Sequence, residues 1–254
     1  MKLSMVKLQS MRAAINWAIL LVVLGYIFLL KNLGIAGALI AFALLLAIMA
    51  GSLLIARSMA QRLHAVAMEL LDPDLLREEM ALSSNNLLKS KRMEYSRCYY
   101  EKLRQAMEGN FAGAIEQCLK APMITSVHTD VKNCDLLHFY CRTGQLDEAQ
   151  KYVEVVEKIY RDGNPQVLTA ANRVLGLYYF ESGDKCRGRD CLQAALSGAS
   201  SNNARQILYY DIGRLDEAEG DPQSALAHYM DANRIGPKTW LGAQAKLRMV
   251  ALQS

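Results

Sequence analysis

The chain has 254 residues, 52% of them hydrophobic, and a formal net charge of +4. Residues 1–68 hold six Lys/Arg and no Asp or Glu, which leaves 23 basic against 25 acidic residues in the remainder. The basic pI of about 8.7 therefore comes from the N-terminal part, and a basic nucleic-acid-binding domain is excluded.

In chain order, the first feature is the run Ala13–Ala56, in which Lys31 is the single charge. As one helix it would extend roughly 66 Å, about twice the hydrocarbon core of a bilayer. The sequence "KNLG" (31–34) interrupts it, so two transmembrane spans are expected, about 13–30 and 33–56. A cleaved signal peptide fits poorly, because its apolar core is about 7–15 residues and the nearest small-residue site, "AIMAGS" (47–52), comes too late. Lys2, Lys7 and Arg12 precede the first span and Arg57 and Arg62 follow the second. By the positive-inside rule both termini and everything after the spans are expected in the cytoplasm, with the protein integral to the cell membrane. The pairs Gly34/Ala38, Gly37/Ala41 and Ala47/Gly51 permit close helix packing within the hairpin or between copies of the chain. No ionisable side chain lies mid-span to mark a transport path.

Residues 57–90 read as a helical coupling segment. "RSMAQRLHAVAMELLD" spaces Leu63, Val66, Ala67, Leu70 and Leu71 on one helical face. Asp72 then suits a cap before a second helix with Pro73 at its first position, and "SSNN" (83–86) breaks the pattern.

The remainder, 91–254, repeats. Four blocks align on a glycine: "EGNFAGAIEQC" at Gly109, "TGQLDEAQKYV" at Gly144, "SGDKCRGRDCL" at Gly183 and "EGDPQSALAHY" at Gly220, spaced 35, 39 and 37 residues apart. Five residues after each comes a small residue: Ala114, Ala149, Gly188 and Ala225. Seven before come Lys102, Leu137, Gly176 and Gly213. A glycine at the turn permits a left-handed backbone between antiparallel helices, and a small residue beyond it lets them approach. "TWLGAQAKLRMVALQS" reads as a helix capping the stack. This pattern resembles the tetratricopeptide repeat (TPR), a helix–turn–helix unit of about 34 residues. The resemblance implies an all-α protein: residues 1–56 as a transmembrane helical hairpin, then an α-solenoid of about four TPR-like helix pairs and a C-terminal capping helix. The whole plan resembles membrane-anchored TPR proteins of Gram-positive bacteria.

Phosphate-binding loops, zinc-protease helices, nucleophile elbows and C-x-x-C pairs are all missing from the sequence. No enzymatic activity, cofactor or metal is expected. In TPR proteins the first helices of successive units line a concave groove. The register places Tyr99, Leu103, Ala106 and Met107 there from the first unit, and Cys134, His138, Cys141 and Arg142 from the second. The third gives Arg173, Leu177, Phe180 and Glu181, and the fourth Tyr210, Arg214, Glu217 and Ala218. Tyr99, Cys134, His138, Arg142, Arg173, Phe180, Tyr210 and Arg214 are the expected partner-binding residues. Their aromatic rings and arginine forks suit a protein or peptide carrying an acidic group. The function implied is that of a membrane-anchored cytoplasmic scaffold, with the bilayer as its other partner. The alternative is a metal- or redox-responsive regulator using Cys134, His138 and Cys141, which share one helix face at i, i+4 and i+7.

Overall fold

The computed structural model describes residues 5–83, 90–162 and 165–253, whose regular structure is helical and without strands. Lys2, the side chains of Lys7, Arg12 and Lys31, and residues 84–86 of the expected "SSNN" break lie outside the described residues. The chain forms two compact units. One comprises the residues up to 65 together with 78–83, the other residues 66–77 and everything from 90 onward.

In the first unit, α1 (Met5–Ala65) is helical on both sides of Gly34, where the backbone turns to φ 54° and ψ −132°. Only glycine adopts that conformation without strain. The break thus falls at the end of the "KNLG" stretch, with 31–33 still helical. A straight helix would separate Ile15 and Gly51 by about 54 Å. Instead a Cβ on Gly51 would lie 3.6 Å from the Ile15 Cδ1 atom, so the chain turns back at Gly34. Ala41 is fully buried, which places the Gly37/Ala41 pair inside the molecule. The stretch Gly34–Leu70 is long and apolar enough to cross a membrane, and Leu39, Phe42, Leu53 and Leu54 are each more than 60% exposed. After the helix, α2 (Pro73–Ser83) provides Glu79, which accepts from Arg62 Nε at 2.6 Å.

In the second unit, a π-helical turn (Val66–Leu70) leads through Leu71 and Asp72 into the start of α2, and four helix pairs come after it. The pairs are α3 (Lys91–Met107) with α4 (Phe111–Lys120), α5 (Ser126–Arg142) with α6 (Leu146–Asp162), α7 (Leu168–Glu181) with α8 (Lys185–Ser197), and α9 (Asn202–Glu219) with α10 (Pro222–Ile235). The capping helix α11 (Trp240–Gln253) closes the chain. Side chains of Ser90, Asn110, Thr125, Asp184, Ser201 and Asp221 accept from the first-turn amides of their helices, and Pro222 occupies a first-turn position.

The four aligned glycines all have positive φ, 80°, 71°, 95° and 82° for Gly109, Gly144, Gly183 and Gly220. The small residues five positions later are buried where helices meet. A Cβ on Gly176 would fall 2.7 Å from Leu192, and one on Gly213 would fall 2.9 Å from Tyr229. The pairs therefore approach more closely than any side chain larger than hydrogen allows. Leu137, Val156, Val174 and Leu177 fill one core between pairs, and Leu192, Leu208 and Leu215 another. Each such side chain contributes roughly 1.5–3 kcal/mol when fully buried.

Candidate binding interior

The first helices of the four pairs, α3, α5, α7 and α9, do line one interior, as the register implies. They also curve far enough to touch one another across it. Arg142 on α5 and Asp211 on α9, 69 residues apart, form an ion pair at 2.7–2.8 Å. The ends of the stack meet as well. Trp240, at the start of α11, packs edge-on to Phe111 at 5.1 Å and lies 6.4 Å from Tyr210. It also covers the loop of the first repeat, since a Cβ on Gly109 would sit 2.4 Å from its Cδ1.

The expected groove residues other than Cys134 are thus gathered together, but four of the eight are buried and none lies along a fully open face. Cys134, His138 and Tyr210 are buried, and the Arg142 side chain is 3% exposed. Tyr99, Phe180, Arg173 and Arg214 are half-buried. Burial pushes the Tyr99 hydroxyl up to about 12.

A regular arrangement of charge holds the interior. Lys102, which stands where the other repeats have a small or apolar residue, pairs with Asp135 and places its ammonium 4.3 Å over the Tyr99 ring. Arg142 pairs with Asp211 and lies 5.6 Å over Tyr210. Arg214 pairs with Glu181 at 2.6 Å and lies 5.0 Å over Phe180. Each of these cations has one carboxylate and one aromatic face. Burial alone would lower the basicity of Lys102, and Asp135 reverses that. Burial raises Asp211, against the pull of Arg142 and Arg214.

Arg173 breaks the pattern. Among the described residues it has no ion pair, no hydrogen bond and no ring beneath it. Burial depresses its basicity, and Asp135 and Asp211 offset this only in part. Further atoms of this charge network are buried without a hydrogen-bond partner: Arg142 Nε, a donor, His138 Nδ1, and Asp211 Oδ1, an acceptor that meets Arg142 only as an ion pair. His138 is held neutral, its pKa pulled well below the usual value by burial and then by Arg173, Arg142 and Lys102. With Lys102, Arg142, Arg173 and Arg214 against Asp135, Asp211 and Glu181, the interior carries one positive charge in excess.

The same geometry bears on the Cys134/His138/Cys141 alternative. Cys134 and Cys141 enter the apolar core beside Leu137 and Val153, and burial pushes both thiols up to about 12. His138 belongs to the charged interior. Among the described residues no three His, Cys, Asp or Glu side chains gather as a metal site. A shared helix face is not a shared focus, because α5 packs against α4, α6 and α7 and its face divides between the apolar core and the charged interior.

The sequence reading missed Lys102, Asp135, Asp211 and Trp240. Lys102 had a signal: a charge at a close-packing position must be buried with a partner. Asp211 directly follows Tyr210 and had none, since the pair to Arg142 depends on how tightly the stack curves.

Comparison with known proteins finds no matching family model and no matching curated relative. Among solved structures the chain is similar to one described as the crystal structure of Rap protein complexed with competence and sporulation factor. The TM-score is 0.57 at 12% sequence identity, over 95% of this chain and 71% of that one. A likeness at that identity carries the fold alone, and it supports a TPR-like, all-helical repeat architecture for this chain.

Proposed function

We propose that the protein is a membrane-anchored, non-enzymatic scaffold whose repeat interior takes up a peptide or protein segment through an acidic group. The observation that carries this reading is Arg173, a cation without a carboxylate in an interior where every other cation has one. Arg173 is half-buried and shares the fields of Asp135 and Asp211 with Lys102 and Arg142, so an anion from outside would supply the carboxylate of its own that it lacks. A carboxylate accepts two parallel bonds from one guanidinium, and Tyr99, Phe180 and Tyr210 offer faces to apolar neighbours in the same ligand. The structural neighbour is described as a complex with a competence and sporulation factor, which agrees with a repeat stack of this shape accepting a ligand.

The anchor is read as a two-span hairpin with its bend at Gly34 and with the repeats on the cytoplasmic side. Support comes from the apolar stretch beginning at Gly34 with Leu39, Phe42, Leu53 and Leu54 exposed, the contact of Ile15 with Gly51, and the basic residues flanking the run. This is the plan of the membrane-anchored repeat proteins that the sequence resembles. Cys186 is the natural reporter of sidedness, because it is exposed whereas Cys98 and Cys134 are buried. A membrane-impermeant maleimide is expected to leave Cys186 unlabelled in intact cells and to label it after permeabilisation. Labelling in intact cells would reverse the orientation.

The ligand reading is tested by titrating the full chain in detergent with a pool of short peptides bearing a free C-terminal carboxylate, beside the same pool amidated. Wild type is expected to retain members of the free-acid pool, and Arg173→Gln to retain at least tenfold less with its helical content unchanged. Equal retention by the two chains would place binding elsewhere.

A further inference from the structure

The passage from α1 into the repeats is built unusually. Val66–Leu70 is a π-helical turn, closed by Leu71 N–H donating to Val66 O at 3.0 Å. Leu71 itself is left-handed, with φ 51°, and is the one non-glycine residue with positive φ among the described residues. A leucine there is strained by about 1–2 kcal/mol, and wide helical turns of this kind recur at functional sites. The conformation persists because its side chains are buried: Val66 1%, Ala67 0% and Leu71 1% exposed.

Both α9 and α3 pack on the turn, α9 more extensively. Asn202 at the start of α9 donates to Glu69 O at 2.9 Å, and Asn203 reaches the Met68 sulfur at 3.9 Å. One turn on, the Gln206 amide nitrogen lies 2.7–3.1 Å from Ala232 O, Gly236 O and Thr239 Oγ1, fixing the loop between α10 and α11. That loop carries Lys238, which pairs with Asp72 at 2.5 Å, and leads directly into Trp240. Further along, α9 supplies Tyr210, Asp211 and Arg214 to the interior. A single helix is therefore gripped at its start by the segment leaving α1 and lines the ligand interior with its middle.

We infer that Val66–Asp72 is a conformational latch: docked on α9 it holds the closed interior, and a shift of α9 when the interior is occupied releases it. Released, the strained turn relaxes toward ordinary α-helix. Losing the extra residue of a π turn rotates the chain before it by about 100° relative to the chain after it. Occupancy of the interior is in this way converted into a change of helical phase at Val66–Leu71, and a change at that turn into a change of α9. Two ends of one element biasing the same equilibrium is the physical requirement for coupling.

The inference rests on the interior being the ligand site, but its test needs no ligand, so the two fail separately. Hydrogen exchange is followed in the full chain in lipid nanodiscs for wild type, Asn202→Ala and Lys238→Glu. Both variants are expected to speed exchange of amides 66–72 by tenfold or more and to speed those of α9 at 207–214 with them, leaving α6 unchanged. Lys238→Glu should show the larger change at low salt, where its repulsion of Asp72 is unscreened. Faster exchange confined to 66–72 would overturn the latch, since the segment would then be a passive filler. So would acceleration of α6 to the same degree, which would mean that the contacts serve only global stability.

Discussion

On one side of α9, Gly213 meets the Tyr229 ring and Ala225 is sealed without exposure. Elsewhere on the same helix Asp211 and Arg214 enter an interior of ion pairs and aromatic faces, and Tyr210, whose ring lies 5.8 Å from that of Tyr229, borders both. The seam between helices is apolar, satisfied and close-packed. The interior is polar; every cation in it except Arg173 has a carboxylate partner, and Arg142 Nε is still unmatched. The seam stabilises the stack in any state, whereas under the proposed function the interior is completed by its ligand.

That contrast can be broken most forcefully at Asp211. Asp211→Ala strands Arg142 in a buried position and is expected to destabilise the chain by about 3–5 kcal/mol in a urea titration in detergent. Replacing both partners, Arg142→Met with Asp211→Leu, is expected to recover most of the loss, because an apolar pair has no charge to leave uncompensated. If the double variant is no better than the single one, the interior depends on its charges for folding and the contrast with the seam collapses.

The seam responds to crowding instead. Gly213→Ala places a methyl 2.9 Å from Tyr229 and is expected to cost about 1–3 kcal/mol through overpacking. Gly220→Ala meets no atom but must adopt φ 82°, for about 1–2 kcal/mol. Adding Tyr229→Leu should rescue the first and leave the second unchanged, which separates crowding from backbone strain.

Mild acid, above the carboxylate range, should act on the interior through His138. His138 has its folded pKa depressed by burial and by the nearby cations, so the native state binds fewer protons than the unfolded chain. Its contribution is fully present above the unfolded value near 6.5 and is lost as pH falls below it. Between pH 7.5 and 5.5 stability should drop by about 1.4 kcal/mol from this group. His138→Phe should remove that dependence, and an unchanged slope would assign it to another group.

How much of this was legible in the sequence depends on which interactions are local. The left-handed glycines at 109, 144, 183 and 220 announce themselves, because a turn between antiparallel helices demands them and the demand recurs at a fixed interval. From that phase the strip Tyr99, His138, Arg142, Arg173, Tyr210 and Arg214 could be assigned to one face. Whether that face is open could not be assigned. Closure depends on curvature summed over four pairs, and on Trp240 meeting Phe111 across 129 residues of chain. For the same reason Cys134, His138 and Cys141 read as a candidate cluster: helical spacing fixes the face of α5 but not the division of that face between the core and the interior. The strained turn at Leu71 had no signature, since nothing in "MELLDPD" requires a leucine to be left-handed.

The most direct measurement is the unfolding free energy of Arg173→Met in the full chain without ligand. If Arg173 is an anion-binding cation with no partner of its own, removing its charge relieves a buried repulsion, and stability should rise by about 1 kcal/mol. A loss of about 3 kcal/mol or more, as expected for a paired residue such as Arg142, would show that Arg173 already has its counterpart and that the interior awaits no acidic ligand.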